Sequence, residues 1–195
     1  MKKWGKVLAL VAVALLVLSS AAFAAPKHWV VGFSQIGSES EWRTANTISV
    51  QNSFLEDPTF TLIYSDAQQR QENQIKALRS FIARRVNAIL FTALVETGYG
   101  PVLQEAKRAG IPVVMIDRDV AAEDRSLRLT IMGSDFVKEG EKAATWLAEY
   151  LKKKGIDDGK KPINIVELQG TTGSAPAIER YDGFRNVMKN HPNWK

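Results

Sequence analysis

The sequence predicts an α/β fold, a parallel β-sheet flanked by helices on both faces, and three observations carry that prediction. After Pro26, short β-rich runs alternate with longer helix-patterned stretches, the signature of consecutive βα units. The run Val86 to Phe91 (VNAILF) is almost continuously apolar, as expected for a strand buried on both faces. The stretch from Glu72 to Arg85 sets Ile75, Leu78, Phe81 and Ile82 on one helical stripe.

Ahead of the first unit lies a segment to set aside. Lys2, Lys3 and Lys6 precede an apolar run from Val7 to Leu18, and Ser19-Ser20-Ala21-Ala22-Phe23-Ala24 follows with an Ala-x-Ala cleavage pattern. Residues 1–24 therefore read as a secretory signal peptide. Their apolar run is too short for a bilayer span, which needs about 20 residues.

The first strand is expected over His28 to Gln35. Gly37-Ser38-Glu39-Ser40 supplies turn and N-cap chemistry for a helix from Trp42 to Leu55, with Ala45, Ile48, Asn52 and Leu55 on one face. Asp57-Pro58 breaks that helix, and Thr59 to Ser65 forms the second strand. After the Glu72–Arg85 helix and the Val86–Phe91 strand, Pro101 suits the first turn of a third helix and Gly110 its C-cap. Pro112 opens the strand Val113 to Asp117. Asp119 to Arg128 is polar and charged, with Asp124-Arg125-Ser126 the expected loop, and a lobe crossover is placed there. Beyond it come a strand Leu129 to Gly133, a helix Val137 to Lys153, a solvated linker Lys154 to Pro162, a buried strand Pro162 to Leu168 (PINIVEL), and a helix Ala177 to Lys189. The expected division is residues 1–24 signal, 25–120 first lobe, and 121–195 the start of a second lobe. That second lobe, with two strands and two helices, is expected to be incomplete.

Composition removes several function classes. The formal charge of +5 falls to about +2 once residues 1–24 are set aside, and no cluster of basic residues with interleaved aromatics remains to mark a nucleic-acid footprint. Lys152-Lys153-Lys154 reads as a solvated helix end. The absence of cysteine excludes disulfides, thiolate metal sites and a cysteine nucleophile, and with only His28 and His191 no zinc site built on several histidines is available. No cofactor or metal is expected.

Four stretches carry a resemblance: Gly32-Phe33-Ser34-Gln35 with Gly37-Ser38-Glu39-Ser40-Glu41-Trp42-Arg43; Asp66-Ala67-Gln68-Gln69 with Gln71-Glu72-Asn73-Gln74-Ile75; Ala109-Gly110-Ile111-Pro112-Val113 to Asp117-Arg118; and Val166-Glu167-Leu168-Gln169-Gly170. Together they resemble the type I periplasmic sugar-binding proteins of ABC transporters, relatives of ribose- and galactose-binding proteins and of lactose-repressor-type ligand domains, and are most similar to the galactofuranose-binding members. The resemblance implies a Rossmann-like two-lobed fold, a monosaccharide held between the lobes, delivery to an inner-membrane ABC permease, a periplasmic location and a monomer at full length.

It also implies site residues. Ligands of open α/β sheets bind beyond the carboxyl ends of the strands. By resemblance, Glu39, Ser40, Trp42 and Arg43 after the first strand contribute to a sugar site, with Trp42 stacking on the sugar's C–H face, Arg43 donating and Glu39 accepting. Glu41 stands where the galactofuranose pattern has a small residue and adds a negative charge at the cleft edge. Asp117 and Arg118 can each take two hydroxyls of one sugar. Arg180 matches an arginine that reaches across from the second lobe. From the residues alone, the cap-and-core reading of Ser38–Trp42, a strand-end ion pair at Asp117-Arg118 and a solvated helix arginine at Arg180 stay open. Asp66, Gln68 and Gln69 read as turn and capping groups, and Met132, Met188 and most aromatics as core. Three other functions are weighed: a receptor-coupled sugar sensor, a non-functional fragment, and a glycoside hydrolase using Glu39 and Asp117 as acid and base. Against the last, Arg43 and Arg118 beside these carboxylates would keep both ionised.

Overall fold

The computed structural model describes residues 28–195, so the expected signal peptide lies outside the described residues. Five parallel strands form one sheet in the order β2-β1-β3-β4-β5: β1 is Trp29–Gln35, β2 Phe60–Asp66, β3 Ala88–Phe91, β4 Val113–Ile116 and β5 Thr130–Met132. The helices are α1 Glu41–Leu55, α2 Gln71–Ala83, α3 Gly100–Arg108, α4 Phe136–Lys153 and α5 Ala175–Met188, with a 3-10 turn over Ala122–Leu127.

Alternate residues of β1 face opposite layers, as the period of two requires. Gly32 meets α2: a methyl group on it would lie 2.5 Å from the Phe81 ring, so glycine lets this helix seat on the sheet. Gln35 faces α1 and donates to Asn46 Oδ1 (3.0 Å) and Thr47 Oγ1 (3.1 Å). The core lies on the α2 and α3 side, where Leu78, Phe81, Val102 and Leu103 close over Ile89, Phe91, Val113 and Met115. Within it Gln74 organises the turn after β3. Its Nε2 donates to Thr92 O (2.7 Å), while its Oε1 accepts from Leu94 N (3.0 Å) and from the Tyr99 hydroxyl. Burial pushes the Tyr99 phenol up to about 12, so this donor stays protonated at any physiological pH.

The face expected on α1 is not a buried stripe. Ile48 is half exposed and Leu55 is 81% exposed, and the helix buries a single residue, Arg43. Its sequence is apolar only at scattered positions, so polar links from Gln35 and the edge-on contact of Phe54 with Phe60 (5.5 Å) hold it.

Two expectations about the second half are corrected. Residues 129–133 do not open a new lobe's sheet: β5 pairs in parallel with β4, Met115 opposite Ile131. The charged stretch expected to cross between lobes is closed on itself by Asp119, which accepts from Arg128 Nε and Nη2 (2.7 and 2.8 Å), and is tied to the first layer by Ala121 N donating to Glu96 O (2.9 Å) and Lys107 Nζ to Ser126 O (3.3 Å); Asp124-Arg125-Ser126 lies in the 3-10 turn. Nor is PINIVEL a buried strand. Ile163 and Ile165 pair on one side only, with Asn193 and Lys195, and Leu168 is 94% exposed. A parallel strand needs partners for its backbone groups along its length, and the described residues supply them for its first part alone. Met132, expected in the core, is exposed.

Helices α4 and α5 pack on each other through glycines. A methyl group on Gly183 would overlap the Val137 carbonyl, and one on Gly140 the Arg180 carbonyl. The linker between these helices is tied down by Asp157, which accepts from Trp194 Nε1 (3.0 Å), Asn193 Nδ2 (2.8 Å) and Gly159 N (2.9 Å). These donors, the Trp194 bond foremost, hold its carboxyl below the usual range.

Candidate functional site

The carboxyl ends of β1 and β4 and the first turns of α1, α4 and α5 converge on a cavity of about 410 Å³, within the size range of small-molecule sites. A hollow of about 520 Å³ between α1 and β2 is lined by Phe54, Leu55, Phe60 and Leu62 and carries no charged side chain.

Ser40 caps α1, accepting from Arg43 N at 3.1 Å, and this cap starts the helix where Arg43 turns inward. Arg43, 2% exposed, donates from Nε to Glu39 Oε1 (3.1 Å) and from Nη2 to Asp117 Oδ2 (2.7 Å). Its guanidinium carbon lies 4.8 Å from the centre of the Trp42 ring, which is itself more than half exposed. One arginine therefore joins the residues after β1 to the residue after β4.

Asp117 occupies left-handed backbone, φ +64°, uncommon for a residue other than glycine and enriched at functional positions. Its N–H donates to Met132 O (2.8 Å), and Gly133 packs against its carbonyl, 2.8 Å from where a Cβ on that glycine would stand. The turn sends Arg118 inward, where Nη1 donates to Leu94 O (3.4 Å). Arg118 also lies 3.8 Å from Glu39 Oε1 and 3.9 Å from Asp117 Oδ2. Burial first, then the Arg43 charge, pulls the Arg118 guanidinium below its ordinary value. Two donors, Arg43 Nη1 and Arg118 Nε, are buried without a hydrogen-bond partner. Leaving such groups unsatisfied is costly, about 1–3 kcal/mol or more for charged ones.

Across the cavity, Arg180 of α5 pairs with Glu139 of α4 at 2.8 Å and stacks over Phe136 at 4.5 Å. Of the eight residues singled out, Glu39, Ser40, Trp42, Arg43, Asp117, Arg118 and Arg180 line the cavity. Glu41 does not; it lies exposed in the first turn of α1. Sequence reasoning missed Ser134, Phe136, Glu139 and Pro176. The signal for the first three was present: Asp135 is the N-cap of α4, accepting from Lys138 N, so the helix begins at Phe136 rather than Val137 and its first turn borders the cleft. Asp66, Gln68 and Gln69 act as turn groups: Asp66 Oδ1 accepts from Gln68 N (2.7 Å), and both glutamines adopt positive φ.

The fold that carries this arrangement is matched by known proteins. Residues 31–195 match the periplasmic binding protein domain. The chain belongs to the periplasmic binding protein family. This periplasmic binding protein domain is 46% identical to the galactofuranose-binding protein YtfQ of Escherichia coli over 98% of its own length and 57% of that protein's. Among solved structures, it resembles a galactofuranose binding protein with a TM-score of 0.74 at 48% identity, covering 86% of this chain and 54% of that one. It also resembles the periplasmic binding component of the arabinose ABC transporter from Shewanella sp. ANA-3, bound to arabinofuranose, with a TM-score of 0.72 at 50% identity, covering 85% and 52%. The chain thus spans a little over half the length of these relatives. The parallel five-stranded sheet with helices on both faces is the type I periplasmic-binding-protein fold.

Among the described residues, no helix is long and apolar enough to cross a membrane, and no group of three or more histidine, cysteine or carboxylate side chains is placed to hold a metal. Glu39 and Asp117, the acid and base of the hydrolase reading, both face Arg43 and Arg118. A general acid instead needs apolar surroundings or a neighbouring negative charge to keep its proton.

Proposed function

We propose that this chain captures a monosaccharide of galactofuranose or galactose type between two lobes and, within the whole protein, presents it to an ABC permease of the inner membrane. The observation that carries the reading is the pair of buried donors without a hydrogen-bond partner, Arg43 Nη1 and Arg118 Nε, in a network with Glu39 and Asp117 at the cavity. Neighbouring sugar hydroxyl oxygens would satisfy the donors, and the carboxylates would accept hydrogen bonds from the hydroxyls in return. Trp42 supplies a ring at the rim for the sugar's C–H face. The furanose preference rests on the sugars named for the relatives.

In this reading residues 1–24 export the chain to the periplasm and are removed. Residues up to about 133 form the first lobe, extended past 120 because β5 belongs to the first sheet, and α4 begins the second. Catalysis has no place in it. The test is isothermal titration of the purified chain with galactose and with arabinose, whose solutions contain both ring forms. One-to-one heat that disappears in Asp117→Ala supports capture; no heat from a chain with a folded circular dichroism spectrum counts against it.

A further inference from the structure

The cavity's far wall presents a guanidinium whose orientation is already set. Arginine carries several rotatable bonds, and ordering such a side chain on ligand contact costs binding free energy. Here Arg180 Nε and Nη2 both lie 2.8 Å from one oxygen, Oε2 of Glu139, and the guanidinium carbon sits 4.5 Å over the Phe136 ring. Glu139 and Phe136 are three residues apart in the first turn of α4, so they share a face and meet the same partner. Phe136 is 4% exposed and cannot swing away. The glycine contacts at 140 and 183 bring α5 against α4 at this level, with the Arg180 carbonyl itself pressed on Gly140. The backbone and the side chain of Arg180 are therefore both fixed from α4.

The pair is half exposed, so its own contribution to stability is small. Its effect is directional. Glu139 also offsets the Arg180 charge near Arg118, which would otherwise repel it.

We propose that Glu139 and Phe136 are positioning residues that hold Arg180 in its sugar-contacting orientation before any ligand arrives. The ligand part of this rests on the sugar-binding reading above; the orientation part does not. Two measurements separate them. In the ligand-free chain, the Arg180 Nε–H resonance, assigned by its loss in Arg180→Ala, exchanges slowly with water, and in Glu139→Ala it exchanges fast. Equally slow exchange in both would overturn the proposal whether or not sugar binds. In titrations with galactose and arabinose, Glu139→Ala weakens affinity roughly two- to tenfold, the cost of ordering one long side chain, and Glu139→Gln, which keeps an acceptor in place, recovers part of it. In an Arg180→Ala background Glu139→Ala has no further effect. An equal loss in both backgrounds would overturn the proposal, because Glu139 would then touch the sugar itself. A wild-type chain that binds neither sugar refutes the sugar-binding reading and leaves the exchange measurement to decide this one.

Discussion

Replacing Asp117 by alanine and by glycine separates what its side chain does from what its backbone costs. Both variants lose the carboxylate that Arg43 Nη2 contacts at 2.7 Å, so under the proposed function both lose sugar binding to the same degree. They differ in backbone. At φ +64° an alanine bears the left-handed penalty of about 1–2 kcal/mol, which glycine avoids. Glycine returns about 0.4–1 kcal/mol through its more disordered unfolded chain. The balance leaves Asp117→Gly more stable than Asp117→Ala by roughly 0.5–1 kcal/mol. In urea, with a slope of about 2 kcal/mol/M, the midpoints separate by about 0.3–0.5 M. At most positions the order is reversed, alanine exceeding glycine by roughly 0.5–1 kcal/mol, so the sign alone is diagnostic. Equal midpoints, or alanine ahead, would show that residue 117 does not hold left-handed backbone in solution.

Two further outcomes follow from the packing and the charges. Gly183→Ala gains about 1 kcal/mol of helix propensity but drives a methyl into the Val137 carbonyl, an overpacking of about 1–3 kcal/mol or more; the melting temperature falls by several degrees, and an unchanged or higher value refutes the glycine crossing. Glu96 is pushed above its ordinary value by burial, then by Glu179, with Asp119 and Asp182 adding and Arg125 opposing. A raised folded-state value means this carboxyl favours the folded state most below about pH 4.5, and that contribution is lost as pH rises through the raised value. Glu96→Gln is therefore more stabilising, relative to wild type, at pH 7 than at pH 4.5 in urea titrations, and a pH-independent difference refutes the assignment.

The elements that the sequence makes plain are those whose signal is local. The Ile75–Ile82 stripe and the VNAILF run reappear as α2 and β3, and Pro101 and Gly110 bracket α3. What stays illegible depends on partners distant in sequence. The residues of β5 read correctly as a strand, but nothing in TIM says which sheet it joins, and PINIVEL has a strand's composition without a strand's neighbours on both sides. The site divides the same way. Residues at strand ends and helix caps, Glu39, Ser40, Trp42 and Arg43 and then Asp117 and Arg118, fall where the βα rule puts ligands, and Glu41 among them does not reach the cavity. Phe136 enters because α4 begins one residue earlier than its apolar pattern suggests, and Glu139 because α5 lies across the first turn of α4 and brings Arg180 to it. The apolar letters of α1 promised a buried face, and the helix instead inserts a charged residue.

That last exchange has a consequence for how the binding site can change over generations. Because Arg43 is the sole residue α1 buries, the helix and the proposed ligand share one anchor. A mutation there is felt twice, once in recognition and once in the attachment of the helix. The neighbouring rim position, Trp42, is exposed and bears no such double duty. Under the proposed function, a lineage drifting from one sugar to another would have its freedom at the rim and almost none at the root.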